Sequence, residues 1–330
     1  MTRPTIAYGS HGSFVEEAQS CLGCDVDGDF GSQTETAVRI FQGEQRIDVD
    51  GVVGEVTWGR LEQVYALAPY PPPMLPPLDD ATVAEIKQIA GQSAIAQYQW
   101  EDRGEAPLGY TQGMALAFAD MVRRYLASDS TALLCGKANT HRADIDALSW
   151  YRDIFDAKDM PNEEEGLDTL RHLFVLMLGL GMRESSGVHC EGRDMSAENV
   201  SSTTAEAGLF QMSWNMESAS EDMQKLFDEY YECPRDACLI ETFSQGVSCG
   251  SQGWACYGSG DGYRYQMMAK KCPIFAVHTA AVGLRTRRQH WGPINRMEAE
   301  VKTAADEMLA AVQDVVLGPP FDVSEQEETS

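Results

Sequence analysis

The chain has 330 residues and a formal net charge of −26, and 43% of its residues are hydrophobic and 23% charged. This composition is ordinary for a soluble globular protein, and the length allows one small and one larger domain. The strong negative charge would repel the phosphates of nucleic acids and of anionic lipids. We therefore expect neither nucleic acid nor a membrane surface as a partner.

The start of the chain does not read as a secretory signal. Residues 1–12 lack the apolar run of about seven residues that such a signal needs. The strongest apolar run, residues 173–182, is too short to span a bilayer and predicts a buried helix. We expect no membrane anchor.

The first predicted elements are two similar turns, each followed by a helical pattern. The repeated text is Asp27-Gly28-Asp29-Phe30-Gly31-Ser32-Gln33-Thr34 and Asp50-Gly51-Val52-Val53-Gly54-Glu55-Val56-Thr57. The glycines supply positive φ angles, and a Ser or Thr after them can cap the next helix. With a further helix predicted over residues 13–22, the segment forms a bundle of three short helices.

Calcium binding is an alternative interpretation of the first turn. Asp25, Asp27 and Asp29 offer oxygen ligands at alternate positions, as an EF-hand loop does. The pattern then fails, because Phe30 stands where that loop needs Gly and Thr36 stands where it needs Glu. The turn interpretation is favoured.

This segment resembles the peptidoglycan-binding domain found at the ends of many cell-wall hydrolases. The shared pattern is Asp-Gly-x-x-Gly-x-x-Thr, then Ala-Val-x-x-Phe-Gln, then a second such turn followed by Trp-x-x-Leu, and only the Cys21 and Cys24 pair departs from it. The resemblance implies a peptidoglycan-binding domain over residues 1–67. The residues that it implies for binding are Asp27, Gly28, Phe30, Gly31, Thr34, Phe41, Gln42, Asp50, Gly51, Gly54, Thr57 and Trp58.

A proline-rich stretch, residues 68–79, cannot continue a helix and predicts a linker. Apolar spacing of three to four residues then predicts a larger helical domain over residues 80–317. The predicted helices cover residues 82–94, 113–128, 143–156, 167–183, 220–231, 272–290 and 295–316. Residues 318–330 are acidic and polar, and predict a disordered tail.

Nine cysteines are present, and six of them follow position 189. This clustering favours disulfides among the late six, with reduced core thiols and a metal site as open alternatives. Only Cys21-x-x-Cys24 has a zinc-like spacing, and no histidine pattern accompanies it. We expect no metal and no cofactor.

The predicted helix over residues 167–183 is strongly apolar and leads directly into Glu184. A carboxyl group at the end of a buried helix is partly desolvated, which raises its pKa toward the range of a general acid. A solvent-exposed helix end is the alternative. Downstream, Gly208-Leu209-Phe210-Gln211 predicts a turn whose amide groups can orient a sugar.

Together, Glu184-Ser185 and Gly208-Leu209-Phe210-Gln211 resemble the Glu-Ser and Gly-Leu-Met-Gln motifs of lytic transglycosylases and goose-type lysozymes, with Phe210 in place of Met. The resemblance implies a lysozyme-like fold, Glu184 as general acid, and substrate binding by Ser185, Gly208, Leu209, Phe210 and Gln211. Tyr257 and Tyr263 are candidates for the tyrosine that lines the cleft in that family. A tyrosine of the core or of a loop is the alternative.

The second catalytic group stays open at the level of sequence. An inverting hydrolase needs a further carboxylate to activate water, and Asp194 and Glu206 have suitable positions. A lytic transglycosylase needs none, because the 6-hydroxyl of the sugar attacks the anomeric carbon. An ion pair with Arg193 is an alternative role for Asp194.

The sequence therefore predicts a mainly α protein that cleaves the bond between N-acetylmuramic acid and N-acetylglucosamine in peptidoglycan. The rivals are a noncatalytic wall-binding protein and an amidase or peptidase that uses Cys190 or a metal. We expect action in the periplasm or at the outer cell wall after a cytoplasmic stage. Delivery would then need a partner such as a phage holin or a secretion system.

Overall fold

The computed structural model describes residues 3–24, 26–65, 78–193, 201–231 and 238–318. The chain divides into two compact units, Met1–Pro76 and Pro77–Ser330, called here the N-terminal and C-terminal units. Most of the predicted linker and of the predicted tail lies outside the described residues, and so does Asp194.

The N-terminal unit contains three helices, as predicted: α1 (Ser13–Leu22), α2 (Ser32–Glu44) and α3 (Glu55–Tyr65). Their apolar faces meet in a small core that includes Val15, Val38, Phe41, Trp58 and Leu61. Residues spaced by three to four positions on each helix form this core, which is why the apolar pattern located the helices.

The predicted Ser or Thr cap of α2 is wrong. Gly31 occupies the N-cap position, and no side chain of a described residue caps the helix. Ser32 is already the first helical residue, and the hydroxyl of Thr34 lies in the turn, 3.0 Å from the Gln19 side-chain nitrogen. Because the Thr34 hydroxyl is hydrogen-bonded within the turn, it does not cap the first N–H groups of α2.

The described part of the C-terminal unit is mainly helical, which confirms the mainly α prediction. Its α-helices are α4 (Asp80–Gln92), α5 (Leu108–Leu126), α6 (Ser130–Gly136), α7 (Ala147–Trp150), α8 (Arg152–Asp156), α9 (Leu167–Ser185), α10 (Glu221–Tyr231), α11 (Ile240–Phe243), α12 (Ser251–Trp254), α13 (Gly260–Lys271), α14 (Pro273–Thr286), α15 (Gly292–Asn295) and α16 (Thr303–Leu317). Short 3₁₀ helices cover Ala94–Gln97, Trp214–Ala219 and Arg288–His290. Strands β1 (Gln99–Trp100) and β2 (Gly104–Glu105) pair antiparallel in a small hairpin.

Helix α9 lies at the centre of this unit and contacts α5, α6, α14 and α16. It is apolar on all sides, as a helix surrounded by others must be. Gly179 and Gly181 allow close approach, because a Cβ atom at either position would collide with the Glu300 backbone or the Tyr110 hydroxyl. The packing of α9 fixes where its carboxyl end, and therefore Glu184, lies.

Three predicted helices differ from the structure. The helix predicted over residues 143–156 is two short helices that meet at Tyr151, whose backbone leaves the helical region. The helix predicted over residues 272–290 ends at Thr286 before a 3₁₀ turn. The one predicted from residue 295 begins at Thr303, because Met297 has a φ of 57° and the chain then runs along the hairpin.

Two disulfides join described residues, Cys190 to Cys249 and Cys238 to Cys272, which confirms the prediction of disulfides among the late cysteines. Cys233 lies outside the described residues. Within the described ranges, no helix is both long enough and apolar enough to cross a lipid bilayer.

Candidate functional site

A cleft of about 550 Å³ opens beside the carboxyl end of α9. Three residues predicted from the sequence line it: Glu184, Glu206 and Gln211. The structure thus brings together residues from two motifs that are separated in the chain. These groups form the candidate site.

The side chain of Glu184 is half-buried in this cleft. Burial, and then repulsion from Glu206, raise its pKa from the ordinary 4.5 to about 8, although Arg103 and Arg296 oppose the shift. A carboxyl group with this pKa is protonated at neutral pH and can donate a proton. The sequence analysis expected a raised pKa for Glu184, and this environment agrees with that direction.

Ser185 follows Glu184 but does not line the cleft. It is buried, and its hydroxyl oxygen lies 2.8 Å from the carbonyl oxygen of Leu209 and 3.1 Å from that of Gly181. Ser185 therefore fastens the end of α9 to residues 208–211, called here the motif turn. Ser185 therefore helps to position the cleft residues without lining the cleft itself.

The backbone of the motif turn is held on several sides. The Gly208 N–H donates to the carbonyl oxygen of Glu191 at 2.9 Å. The indole N–H of Trp291 donates to the carbonyl oxygen of Phe210 at 2.8 Å, and His290 Nε2 lies 3.3 Å from that of Gln211. Burial lowers the pKa of His290, so its ring is neutral at neutral pH.

Gly208 and Gln211 give the turn its shape. Gly208 has a φ of 75°, and a Cβ atom there would lie 2.7 Å from the carbonyl oxygen of Ala269. Gln211 has a φ of 47°, and its side-chain N–H donates to the Gly208 carbonyl oxygen at 2.9 Å. The Gln211 side chain thus meets the cleft in a fixed position.

The remaining residues predicted for substrate binding lie elsewhere. Leu209 and Phe210 are buried in the hydrophobic core and are not among the cleft residues. Tyr257 is exposed, and the guanidinium carbon of Arg193 lies 4.2 Å from the centre of its ring. Arg193 does line the cleft, so Tyr257 supports a residue of the cleft wall.

Sequence reasoning missed His290 and Trp291, which support the motif turn, and also the arginines of the cleft. The sequence of residues 290–293 is unusual, since it combines an aromatic pair with Gly-Pro, but it matched no motif of known role. The hairpin of β1 and β2 matched none either. Its turn residue Arg103 lines the cleft.

One group among the described residues could offer three ligand atoms to a metal ion: His189, Cys190 and Cys249. The two sulfur atoms are bonded to each other, so neither can act as a thiolate ligand in this state. For the same reason Cys190 cannot serve as a nucleophile, which counts against the cysteine peptidase alternative.

In the N-terminal unit, Gln19 holds the first turn, residues 27–34. Its side-chain nitrogen donates to Asp27 at 2.7 Å and lies 3.0 Å from the Thr34 hydroxyl. Its side-chain oxygen accepts from the N–H groups of Asp27 and Gly28 at 3.1 and 3.0 Å. The Asp29 N–H, and then the Gln19 side-chain N–H, donate to the Asp27 carboxylate and lower its pKa.

Gln42 holds the second turn, residues 50–57, in the same way. Its side-chain nitrogen donates to Asp50 at 2.7 Å and lies 3.1 Å from the Thr57 hydroxyl, and its oxygen accepts from the Gly51 N–H at 2.9 Å. Gln19 stands at the position in α1 that Gln42 holds in α2. The repeat therefore extends further toward the N-terminus than the turns alone indicated.

The residues predicted for peptidoglycan binding in this unit have internal roles. Phe30, Phe41 and Trp58 are buried in the core, and Asp27, Thr34, Gln42, Asp50 and Thr57 form the two hydrogen-bonded turns. Gly28 and Gly51 have positive φ angles of 73° and 74°, and the carbonyl oxygens of Gly31 and Gly54 accept the first bonds of α2 and α3. The repeated pattern of this unit therefore describes its scaffold.

Residues 13–61 match the sequence family described as "Putative peptidoglycan binding domain". This match confirms the resemblance that the two turns indicated. No curated protein matches the chain. A crystal structure of the Burkholderia AP3 phage endolysin aligns with 95% of this chain and 99% of its own, at 16% identity and a TM-score of 0.18. A score this low supports no inference about fold or activity.

Proposed function

We propose that this protein cleaves the glycosidic bond between N-acetylmuramic acid and N-acetylglucosamine in peptidoglycan, with Glu184 as the general acid. The observation that carries the proposal is the Glu184 carboxyl group, held in a cleft with a pKa of about 8. At neutral pH it would donate its proton to the leaving oxygen of the sugar. The resemblance of the two motifs to those of lytic transglycosylases and lysozymes indicates which bond is cleaved. The family match of residues 13–61 indicates that the polymer is peptidoglycan.

The rest of the cleft supports this chemistry. Gln211 offers a side-chain amide in a fixed position, which suits the orientation of an N-acetyl group. Ser185 and Trp291 donate hydrogen bonds to backbone carbonyl oxygens of the motif turn, which fixes the position of Gln211 relative to Glu184. The N-terminal unit would raise the local concentration of wall polymer at this cleft.

The role of Glu206 would distinguish hydrolysis of the sugar from its cyclisation after bond cleavage. It is the described carboxylate whose charge acts most strongly on Glu184, and it lines the same cleft. In a hydrolase it would activate water; in a lytic transglycosylase the 6-hydroxyl of the sugar would attack instead. Glu206→Gln should abolish turnover in the first case and leave most of it in the second.

The first test is Glu184→Gln with purified peptidoglycan as substrate. Because Gln cannot donate the proton, we expect turnover to fall by at least about a thousandfold, while binding to the wall stays intact. Glu165→Gln is the control, since Glu165 is exposed and outside the cleft. Unchanged turnover in Glu184→Gln would remove the catalytic assignment.

Mass spectrometry of the products separates the chemical alternatives. Ends with a 1,6-anhydro sugar identify a transglycosylase, and reducing sugar ends identify a hydrolase. Freed stem peptides would identify an amidase or peptidase. No product from the parent protein would favour a noncatalytic wall-binding protein.

The proposed function places the protein at the peptidoglycan, in the periplasm or outside the cell, after synthesis in the cytoplasm. Release through a pore formed by a phage holin and transfer by a contact-dependent secretion system are the two routes that we propose. The genes beside this one would distinguish them.

A further inference from the structure

Three side chains next to the cleft wall carry atoms of the kind that bind zinc. A ring nitrogen of His189 and the sulfur atoms of Cys190 and Cys249 all lie within 4.8 Å of one another. His189 and Cys190 are buried, and Cys249 is half-buried. Imidazole nitrogen and thiolate sulfur are ligands that Zn²⁺ prefers in proteins. None of the three takes part in the proposed cleavage.

The ring of His189 is oriented so that Nε2 faces Cys249. Nδ1 lies 3.0 Å from the Lys270 carbonyl oxygen, and Nε2 lies 3.6 Å from Cys249 Sγ. A carbonyl oxygen can only accept a hydrogen bond, so Nδ1 carries the proton and the neutral ring presents the lone pair of Nε2. Histidines that bind zinc are held in this way, with the other ring nitrogen donating to a carbonyl or carboxylate oxygen.

The two cysteines are held close by backbone packing as well as by their disulfide. Their Cα atoms are 5.9 Å apart. A Cβ atom on Gly253 would lie 2.6 Å from the Cys190 carbonyl oxygen, so α12 packs directly against Cys190, and Cys249 lies two residues before this helix. Two thiolates on one tetrahedral zinc ion lie about 3.8 Å apart, since each Zn–S bond is about 2.3 Å long. The spacing of the Cα atoms allows this separation by rotation of the side chains.

A tetrahedral zinc ion needs a fourth ligand. The group opens toward Ser244, an exposed residue whose hydroxyl oxygen lies 3.2 Å from His189 Nε2. This hydroxyl donates to the Ile240 carbonyl oxygen at 2.7 Å, so its proton is not given to Nε2. Water can enter from this side and complete the coordination.

The oxidation state of the cysteines decides whether the group can bind an ion. In the disulfide, neither sulfur is a thiolate. Cysteines enter a new chain as thiols, however, and disulfides are rare in a reducing compartment. There the two thiols lie beside an imidazole that is already oriented as a ligand.

We propose that the reduced protein binds one Zn²⁺ ion through His189 Nε2 and the thiolates of Cys190 and Cys249, and that oxidation replaces the ion by the disulfide. Binding converts both thiols to thiolates and releases their protons. In the oxidation, the two thiolates give two electrons to a disulfide oxidant such as oxidised glutathione, which takes up two protons and leaves as two thiols. The Cys190–Cys249 bond forms, and both Zn–S bonds break. The inference goes beyond the proposed function, because it concerns neither the substrate nor Glu184.

The first test is a zinc titration of the full chain under reducing, oxygen-free conditions, with Co²⁺ as a spectroscopic probe. Every protein compared carries Cys21→Ser and Cys24→Ser, which removes the other closely spaced cysteine pair. We expect one equivalent to bind with a Kd below about 100 nM and with a thiolate-to-cobalt absorption band. Cys249→Ser and His189→Gln should each weaken binding by at least about 100-fold. His189→Gln keeps the disulfide, so circular dichroism of its oxidised form shows whether it folds.

Cys238→Ser/Cys272→Ser is the matched control. It removes the other disulfide, and among the described residues no His, Asp or Glu joins that pair in a group of ligand atoms. Its zinc affinity should stay within about threefold of that of the parent. A reduced parent that binds no zinc would overturn the inference. Equal affinity in Cys249→Ser would overturn it too, since other thiols would then hold the ion.

Oxidation tests the second half of the inference. Oxidised glutathione added to the zinc-loaded protein should release one equivalent of zinc, measured with a coloured chelator, while mass spectrometry detects the Cys190–Cys249 disulfide. Zinc that stays bound after this disulfide has formed would contradict the exchange. Neither experiment measures peptidoglycan cleavage, so an inactive protein would reject the proposed function and leave the zinc tests unaffected.

Discussion

The two units use their sequence motifs in different ways. In the N-terminal unit, the side chains of the repeated turns bind one another or fill the core, so the motif describes a scaffold. In the C-terminal unit, Ser185 and Gly208 also serve the scaffold, but Glu184 and Gln211 reach an open cleft. A motif match therefore locates a fold element in both cases, and only the structure distinguishes supporting residues from contacting ones.

Among the substitutions that test this difference between the units, Gly208→Ala in the motif turn should cause the largest loss of stability and turnover. The added Cβ atom would lie 2.7 Å from a backbone oxygen at a φ of 75°, so the turn must move. We expect a loss of about 4 kcal/mol in unfolding free energy and at least a hundredfold loss of turnover.

Denaturant unfolding and wall digestion measure both quantities for Gly208→Ala. Gly250→Ala is the control, since Gly250 has a φ of −70° and open space around it. A Gly208→Ala variant with normal turnover would show that the motif turn does not need its backbone geometry.

The next effect concerns Gln19, the side chain that holds the first turn. Gln19→Met keeps the volume but removes hydrogen bonds to Asp27, Gly28 and Thr34 in a buried place. We expect a loss of about 3 kcal/mol in the stability of the N-terminal unit, because several buried polar groups lose their partners. Thermal unfolding followed by circular dichroism measures it.

Gln33→Met is the control, because Gln33 is an exposed residue of α2. Cleavage of soluble peptidoglycan fragments should not change in either variant. If Gln19→Met lost wall binding at full stability, the first turn would be a contact surface and not a scaffold.

Glu184 should carry a cost to stability that depends on pH. Its pKa is about 8 in the folded protein against an ordinary 4.5, so the folded state holds the proton more tightly than the unfolded state. Folding stability should therefore fall as pH rises from about 4.5 to about 8. Glu184→Gln should be more stable than the parent by about 2 kcal/mol at pH 7, after discounting for partial exposure, and equal to it at pH 4.

Melting temperatures of the parent and Glu184→Gln across this pH range check the prediction. A stability difference that stays constant with pH would mean that the Glu184 carboxyl group is not desolvated. The same titration should appear in turnover, which we expect to decline above about pH 8 as the general acid loses its proton.

The smallest effect is expected at the exposed pair of Glu35 and Arg39 in α2. Arg39 donates to Glu35 at 2.8 Å, but both side chains are in contact with water. Glu35→Gln should change the unfolding free energy by less than about 0.5 kcal/mol. A larger loss would show that Glu35 positions Arg39 beneath Gly51 and so supports the second turn.

Local patterns predicted much of this molecule. The three helices of the N-terminal unit and the apolar helix α9 depend on residues close in sequence, so their spacing was sufficient. The motif pair also predicted that Glu184 and Gln211 would meet. Gln19 was overlooked although its spacing from Asp27 repeats that of Gln42 from Asp50.

The parts that were not predicted depend on residues far apart in the chain. The hairpin that carries Arg103 has strands of only two residues, and it is held by Glu300. Trp291 and His290 support the motif turn from another part of the sequence. No periodicity within one segment encodes such contacts, and Glu300, in the irregular stretch before α16, accepts a hydrogen bond from the hairpin.

Helix α2 supplies Thr34 to the first turn and Gln42 to the second, so it belongs to both halves of the repeat. Neither half can form a complete turn without it, and we expect the unit to unfold cooperatively. The arrangement is also extensible in principle, since each helix can carry the glutamine for the turn that follows. At the equivalent position of α3 the chain has Tyr65 instead of a glutamine.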